Sequence, residues 1–409
     1  MTNEDPANGD AARPRRRPLD GIRVLDISTV IAAPLAAMVL GDYGAEVIKI
    51  EHPEGGDPAR SHGYEHDGVP LWWLMLGRNK KSVTLYLGSQ EGQEIFRTLA
   101  ATADVVIENF RPGTLEKWGL GYEELSRDNP GLVLAHVSGF GRTGPMINEP
   151  GFGTMGETMS GFTFRNGDPD QPPHLPPFGL ADGVTGISTA LAVVTALYER
   201  RDSGRGQEID LAIIEPLLTV LEPQVITQDQ LGRTLQRTGN AAEMNAPRGL
   251  YLARDKAWVA VSASTTTTAA RVVRLMGAAH LADADWFDSA RGRRSHAAEI
   301  DEAINAWMGE RDAADAVFAC RAAGVPVAPV FSSADILADP QYAAIGTIGS
   351  YPHEQLGPVR MPAPLFRLSA TPGQVDSLGP DLGQHTDEVL GTVGVDAETV
   401  AALRSRGVV

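Results

Sequence analysis

Over residues 19–140, runs of branched apolar residues alternate with helix-patterned stretches, and this alternation constrains the fold more than any other feature of the chain. GIRVLDIS reads as a strand, APLAAMVLGDYG as a helix ended at Gly44, and AEVIKIE as a second strand. Two strands joined through a helix imply a parallel pair with a right-handed crossover. KSVTLYL, DVVIENF and GLVLAHVSGF continue the strands. SQEGQEIFRTLAATA, with Ser89 as its N-cap, and YEELSRDNP supply helices between them. The expected fold is α/β, with a large Rossmann-like, doubly wound domain.

At 409 residues the chain is too long for one simple core, and two domains are expected. Residues 1–18, which include the Arg15-Arg16-Arg17 run, read as a disordered leader. Residues 19–224 read as the first part of the large domain. Within them, Gly141 to Gly179 is rich in Gly and Pro and expected to be irregular. GVTGISTALAVVTALYERR follows, apolar almost all round and expected to be a buried helix. GQEIDLAIIEPLLTVLEP then reads as a strand and a helix, and the polar residues 225–245 as a linker. Residues 246–330 read as a small α+β domain, opened by a hairpin that turns at Arg254-Asp255-Lys256. Residues 331–409 are expected to return and complete the large domain, closing with the helix TDEVLGTV.

A net charge of −17 argues against a nucleic-acid partner, because duplex binding needs a basic face. No apolar run reaches the roughly 18 residues of a membrane span, and the N-terminus lacks the apolar stretch of a secretory signal. The expectation is a cytoplasmic protein with no membrane partner. The single cysteine, Cys320, excludes an internal disulfide and lies in the apolar helix DAVFACRAAGV, where core packing outweighs a nucleophilic role. Gly139, Gly141 and Gly144 make a formal GxGxxG after a strand. Pro145 and Pro150 follow where a dinucleotide site needs a helix N-terminus, which argues against a nicotinamide cofactor. Gly186-Ile-Ser188-Thr-Ala190 fails the serine-hydrolase elbow at its last position. Without HExxH or a cysteine pair there is no ligand spacing for a metal.

PPFGLADGVTG, residues 176–186, carries more information. Asp182 stands where a Gly/Pro-rich loop enters the long helix. As an N-cap it would accept hydrogen bonds from the first free amides, worth ~1 kcal/mol. As a nucleophile it would use the space left by Gly179 and Gly183, with the helix N-terminus steadying an oxyanion. Spacing alone leaves both roles open.

GIRVLDIS, APLAAMVLGDYGAEVIKIEHPEGGDPAR, GRNKKSVTLYL, DVVIENFRPG with GLGYEEL, NPGLVLAHVSGFGRTGP and ALYERRDSGRGQEIDLAI occur in that order. Together they resemble the family III coenzyme A transferases of the formyl-CoA and carnitine-CoA type. GPVRMPAPLFRLSATPG and LGQHTDEVL extend the likeness more weakly. The resemblance implies a large domain built from both ends of the chain, a small domain between, and an interlocked homodimer. It places the nucleophile at Asp182 and makes CoA or acyl-CoA the substrate, with no tightly bound cofactor. By family position Val30, Ile31 and Ala32 line the path of the adenosine and pantetheine arm, with His52 beside the adenine or ribose. Lys80, Asn109, Arg111 and Lys117 are the expected polar and phosphate contacts. Formyl-CoA transferases carry glutamine where this chain has Ile31, and Tyr-Glu where it has Phe152-Gly153. These departures point away from oxalate or formate and towards a bulkier or more apolar acyl group. The related α-methylacyl-CoA racemases need a histidine where Phe152 stands, which makes racemisation the alternative, along with a non-catalytic CoA-binding protein.

Overall fold

In the computed structural model residues 16–409 are described. The first 15 residues of the expected leader lie outside them, and the described end of that segment is engaged: Arg17 pairs with Asp20 at 3.3 Å and also with Asp376. Contacts divide the chain into two units. One runs to Ser160 and adds Pro176–Leu221 and Ile345–Val409; the other comprises Gly161–Leu175 and Glu222–Ala344.

The first unit contains β1 (Arg23–Asp26), β2 (Glu46–Glu51), β3 (Lys80–Thr84), β4 (Val105–Glu108), β5 (Val133–Ser138) and β6 (Glu208–Ala212). They form one parallel sheet in the order β3-β2-β1-β4-β5-β6. The order changes direction between β1 and β4, the switch point where such sheets open a crevice at their carboxyl ends. β4 and β5 are buried along their whole length, as strands covered on both faces must be.

Five helices matter for the site: α1 (Ala32–Asp42), α2 (Gln90–Ala100), α3 (Gly153–Met159), α4 (Leu180–Ser203) and α5 (Ile214–Val220). Ser89 caps α2, its Oγ accepting from the Gly92 amide at 3.0 Å. The apolar face of α2 buries Phe96 and Leu99 completely, each worth about 2 kcal/mol. α3 lies inside the stretch expected to be irregular, and a short helix, Phe162–Arg165, follows it. Glycines at 153 and 156 hid α3, because their low helix propensity outweighs a pattern only two turns long.

α4 begins at Leu180, ahead of its apolar run, and packs on α1. At Gly186 a Cβ would stand 2.7 Å from the Ala32 carbonyl oxygen, so the close approach needs glycine. By length and composition alone this 24-residue helix could cross a membrane, and 44 % of its most apolar window is buried inside the protein. It is not buried all round as expected. Ile187, Leu191, Val194 and Tyr198 are exposed, Leu191 at 67 % and Tyr198 at 69 %.

The C-terminal return closes on β3: His385 donates to Ser82 O at 2.9 Å, and Tyr86 to Val408 O at 2.8 Å. Val389, Leu390, Val400 and Leu403 join the core that holds Ile48, Val83 and Val106. TDEVLGTV contains the helix Thr386–Gly391 as expected, but the chain closes with a further one, Ala397–Ser405, capped by Asp396.

In the second unit, β7 (Arg248–Leu252), β8 (Trp258–Ser262) and β9 (Val327–Pro329) form an antiparallel sheet in the order β9-β8-β7. Its core includes fully buried Cys320, whose thiol burial pushes up to about 11. Thr265, in the Ser262–Thr268 run, caps the helix Thr266–Leu275. Residues expected to be linker include the helix Gln224–Leu231, and Ser333–Ala338 belongs to this unit rather than to the return. Polar composition masked that helix, because none of its residues is buried.

Candidate active site

The loops after β1 and β4 meet at the switch point. Thr29 donates to Asn109 Oδ1 at 2.8 Å and accepts from Asn109 Nδ2 at 2.7 Å. Val30 follows with a φ of 73°, a left-handed conformation that a β-branched residue adopts only under strain. Asp57 holds it there, accepting from the Val30 amide at 2.9 Å. Behind Asp57 lies Lys49, fully buried and 3.0 Å from the Asp57 carboxylate. The loop that lines the cavity is therefore clamped by an asparagine on one side and an ion pair on the other.

That cavity is lined by Val30, Ile31 and Ala32 after β1, Asn109 and Arg111 after β4, and Ser138 and Gly139 at the end of β5. Phe152 and Asp182 complete its wall. A second cavity, sharing Thr29 and Phe110 with the first, is lined by His52, Tyr86 and Trp118. The His52 ring stands edge-on to Tyr86 with centroids 4.8 Å apart. The structure thus gathers six of the expected site residues on one wall and sets His52 in the adjoining hollow.

Two expected contacts are placed elsewhere. Lys80 is 2 % exposed, and its ammonium donates to Asp26 Oδ2 at 2.9 Å and Pro34 O at 2.7 Å. With both partners inside the protein it has no reach to a phosphate. The face of β3 that carries Lys80 is buried, so a lysine there must find an internal counter-ion. Lys117 is exposed at the end of the helix Thr114–Lys117 and lines neither cavity. Burial works against the Asp26 carboxylate, but Lys49 and Lys80 outweigh it and hold Asp26 below the usual carboxylate range. Lys80→Met is accordingly expected to cost about 3 kcal/mol of stability, leaving Asp26 half-compensated. Denaturant melts should show that loss, while CoA affinity of the folded fraction stays unchanged.

Asp182 is the third residue of α4, not its N-cap; Gly179 occupies that position. Among the described residues the Asp182 carboxylate makes no hydrogen bond or ion pair. Its space is cut by two glycines. A Cβ at Gly153 would stand 2.2 Å from Asp182 Oδ2, and one at Gly179 would stand 2.8 Å from it. The first amides of α4, expected to steady an oxyanion, are taken by Glu157, whose Oε1 accepts from Leu180 at 2.8 Å and Ala181 at 3.3 Å. Sequence reasoning weighs Glu157 only as a candidate substrate contact and favours a structural role. Its hold on these amides is not legible there, since it lies 23 residues from Leu180 and no local spacing signals the contact.

Burial, with the Glu157 carboxylate adding to it, pushes Asp182 up to about 6. A carboxyl raised on folding favours the protonated native state, so its contribution to stability is full below 3.8 and lost as pH rises through about 6. Asp182→Asn should therefore stabilise the protein at pH 8 by about 1–2 kcal/mol, solvent screening included, with the gain vanishing near pH 3.5. Parallel melts at the two pH values check the sign.

Arg142, next to Gly141 of the wall, is already committed. It pairs with Glu116 and stands 3.0 Å from Nδ1 of the buried His136 ring, which itself bridges Glu108 and Glu208. No helix follows Gly139–Gly144; the Gly141 amide donates to Ser138 Oγ at 2.9 Å instead.

The profile of CoA-transferase family III matches residues 19–386. A succinyl-CoA–D-citramalate CoA-transferase of Chloroflexus aurantiacus is 39 % identical over 395 residues, covering 96 % of this chain and 98 % of that protein. The β subunit of a succinyl-CoA–L-malate CoA-transferase from the same organism is 40 % identical over 397 residues, again 96 % of this chain and 98 % of that one. The crystal structure of a CaiB/BaiF family protein from Brucella suis aligns with a TM-score of 0.81 at 31 % identity, over 92 % of this chain and 100 % of the other. The match spans every strand of the parallel sheet and the cavity that holds Asp182, and the chain belongs to CoA-transferase family III, moving CoA from an acyl thioester to a free carboxylic acid.

Proposed function

We propose that Asp182 is the nucleophile of this transfer and that the acids exchanged are small dicarboxylates, with succinyl-CoA as donor. The carrying observation is a carboxylate that has no hydrogen-bond or ion-pair partner among the described residues and stands in a cavity kept open by Gly153 and Gly179. An Asp182 oxygen attacks the thioester carbonyl, and the carbon–sulfur bond breaks with its electrons leaving on the CoA thiolate. The thiolate then attacks the Asp182 carbonyl of the mixed anhydride, and the donor acid departs as its carboxylate. An acceptor carboxylate reverses the two steps on the aspartyl-CoA thioester. No proton or water enters the balance, so the site must keep water from both intermediates.

The dicarboxylate reading draws on the relatives' substrates and on Arg111, an exposed guanidinium in the same cavity as Asp182. Arginine suits a carboxylate geometrically, and the far carboxylate of a four- or five-carbon diacid gives it a partner. Ile31 and Phe152 are among the apolar residues of the wall. The test is intact-mass spectrometry after incubation with a panel of acyl-CoAs. A hydroxylamine-labile CoA adduct mapped to Asp182, formed fastest from succinyl-CoA, is the expected result. An adduct on another residue, or none from any acyl-CoA, would remove the nucleophile assignment. Exchange of an α-proton with deuterated solvent would favour racemisation instead.

The expected homodimer is supported by the exposed stripe Ile187, Leu191, Val194 and Tyr198 on α4, spaced to share one helix face. Leu191→Lys is expected to weaken self-association by about tenfold or more, read by light scattering across a dilution series. An unchanged mass at every concentration would count against this face.

A further inference from the structure

Glu157 is 3 % exposed, and the transfer steps above make no use of it. The positive end of a helix attracts an anion, and at α4 that place is held by Glu157 rather than by Asp182. Both the amides and the favourable field at this helix end are thus spent on the neighbouring carboxylate. What reaches Asp182 is partial desolvation and a like charge.

We propose that Glu157 is a positioning residue for CoA transfer: it occupies the amides that would otherwise clamp the Asp182 carboxylate, and its charge keeps that carboxylate unpaired and reactive. The inference rests on Asp182 being the nucleophile. An oxyanion clamped by two amides is a weaker nucleophile, because reactivity follows basicity along a Brønsted line. A carboxylate matched to the acids it exchanges with also lets the anhydride collapse in either direction.

Most other charged groups around α4 have partners of their own. α5 carries Glu215, whose Oε2 accepts from the Ala212 amide at 3.0 Å. α1 carries Asp42, paired with Arg78 at 2.6 Å. β5 and β6 carry His136, Glu208 and Asp210, tied to Glu108 and to Arg142. Glu149 and Arg111 line the cavity itself.

The experiment compares wild type with Glu157→Gln, which keeps an oxygen for the two amides and removes the charge. Aspartyl-CoA formation from succinyl-CoA and kcat/KM for transfer are followed from about pH 5 to pH 9. The acid limb is expected to move down by about one pH unit, and the plateau rate to fall about 3–10-fold, with melting temperature and CoA affinity held. A helix cap with no further role predicts an unmoved acid limb, and that result in a folded variant overturns the proposal. If the variant does not fold, wild type decides: an acid limb below about pH 5 overturns it too. An adduct on Asp182 with an unshifted limb removes this inference alone. No adduct on Asp182 in wild type removes both readings.

Discussion

Asp182→Ala is expected to lower CoA transfer by about a thousandfold or more while leaving the fold and CoA binding in place. The substitution removes the only group proposed to bond with the acyl carbon, so both covalent intermediates disappear together. Direct exchange between an acid and a thioester then has to proceed by attack of a hydrated carboxylate, without the oriented encounter that the cavity supplies. CoA affinity should hold, because the loop Thr29–Ala32 takes its shape from Asn109 and Asp57 rather than from Asp182. Steady-state kinetics, intact mass and CoA titration together separate the outcomes. A variant that keeps more than about a tenth of wild-type activity would show that another residue carries the acyl group.

Gly153→Ala should also be damaging, though less so, and for a reason that stability measurements would not reveal. Gly153 is the first residue of α3, and its φ is not among the positive ones, so alanine strains nothing there. By helix propensity the change is favourable, by up to ~1 kcal/mol. The added methyl, however, would lie 2.2 Å from Asp182 Oδ2 and 2.7 Å from its Cγ, and the carboxylate must turn away. A nucleophile displaced by about 1 Å loses roughly a hundredfold in rate. The expected result is a fall in kcat of about that size with an equal or slightly raised melting temperature. Gly183→Ala is the control, since a Cβ there meets nothing within 4 Å and activity should stay near wild type. Activity of Gly153→Ala within threefold of wild type would mean that the carboxylate has room the geometry does not show.

The sequence by itself determined the order and kind of the elements in the parallel sheet. Branched apolar runs of four to six residues, such as those at Val105–Glu108 and Val133–Ser138, became fully buried strands because hydrogen-bonding pattern and side-chain period are properties of neighbours along the chain. Ser89 was legible as a cap for the same reason, its partner being three residues away. Asp182 was legible only as a position, a carboxylate where a glycine-rich loop enters a helix.

Tertiary structure decided the rest. Whether Lys80 faces ligand or core depends on what covers each face of β3, and the Asp26 that claims it lies 54 residues away. That α4 shows Leu191 and Tyr198 on its surface follows from which of its faces α1 covers, and an apolar composition does not select a face. The free state of Asp182 is set by Glu157 taking two amides and by Gly153 leaving a gap, and both come from α3, a helix too short and glycine-rich to leave a pattern. Periodicity reports on forces between neighbours in the chain; the reactivity of one carboxylate is set by desolvation and charge from groups brought together only by folding.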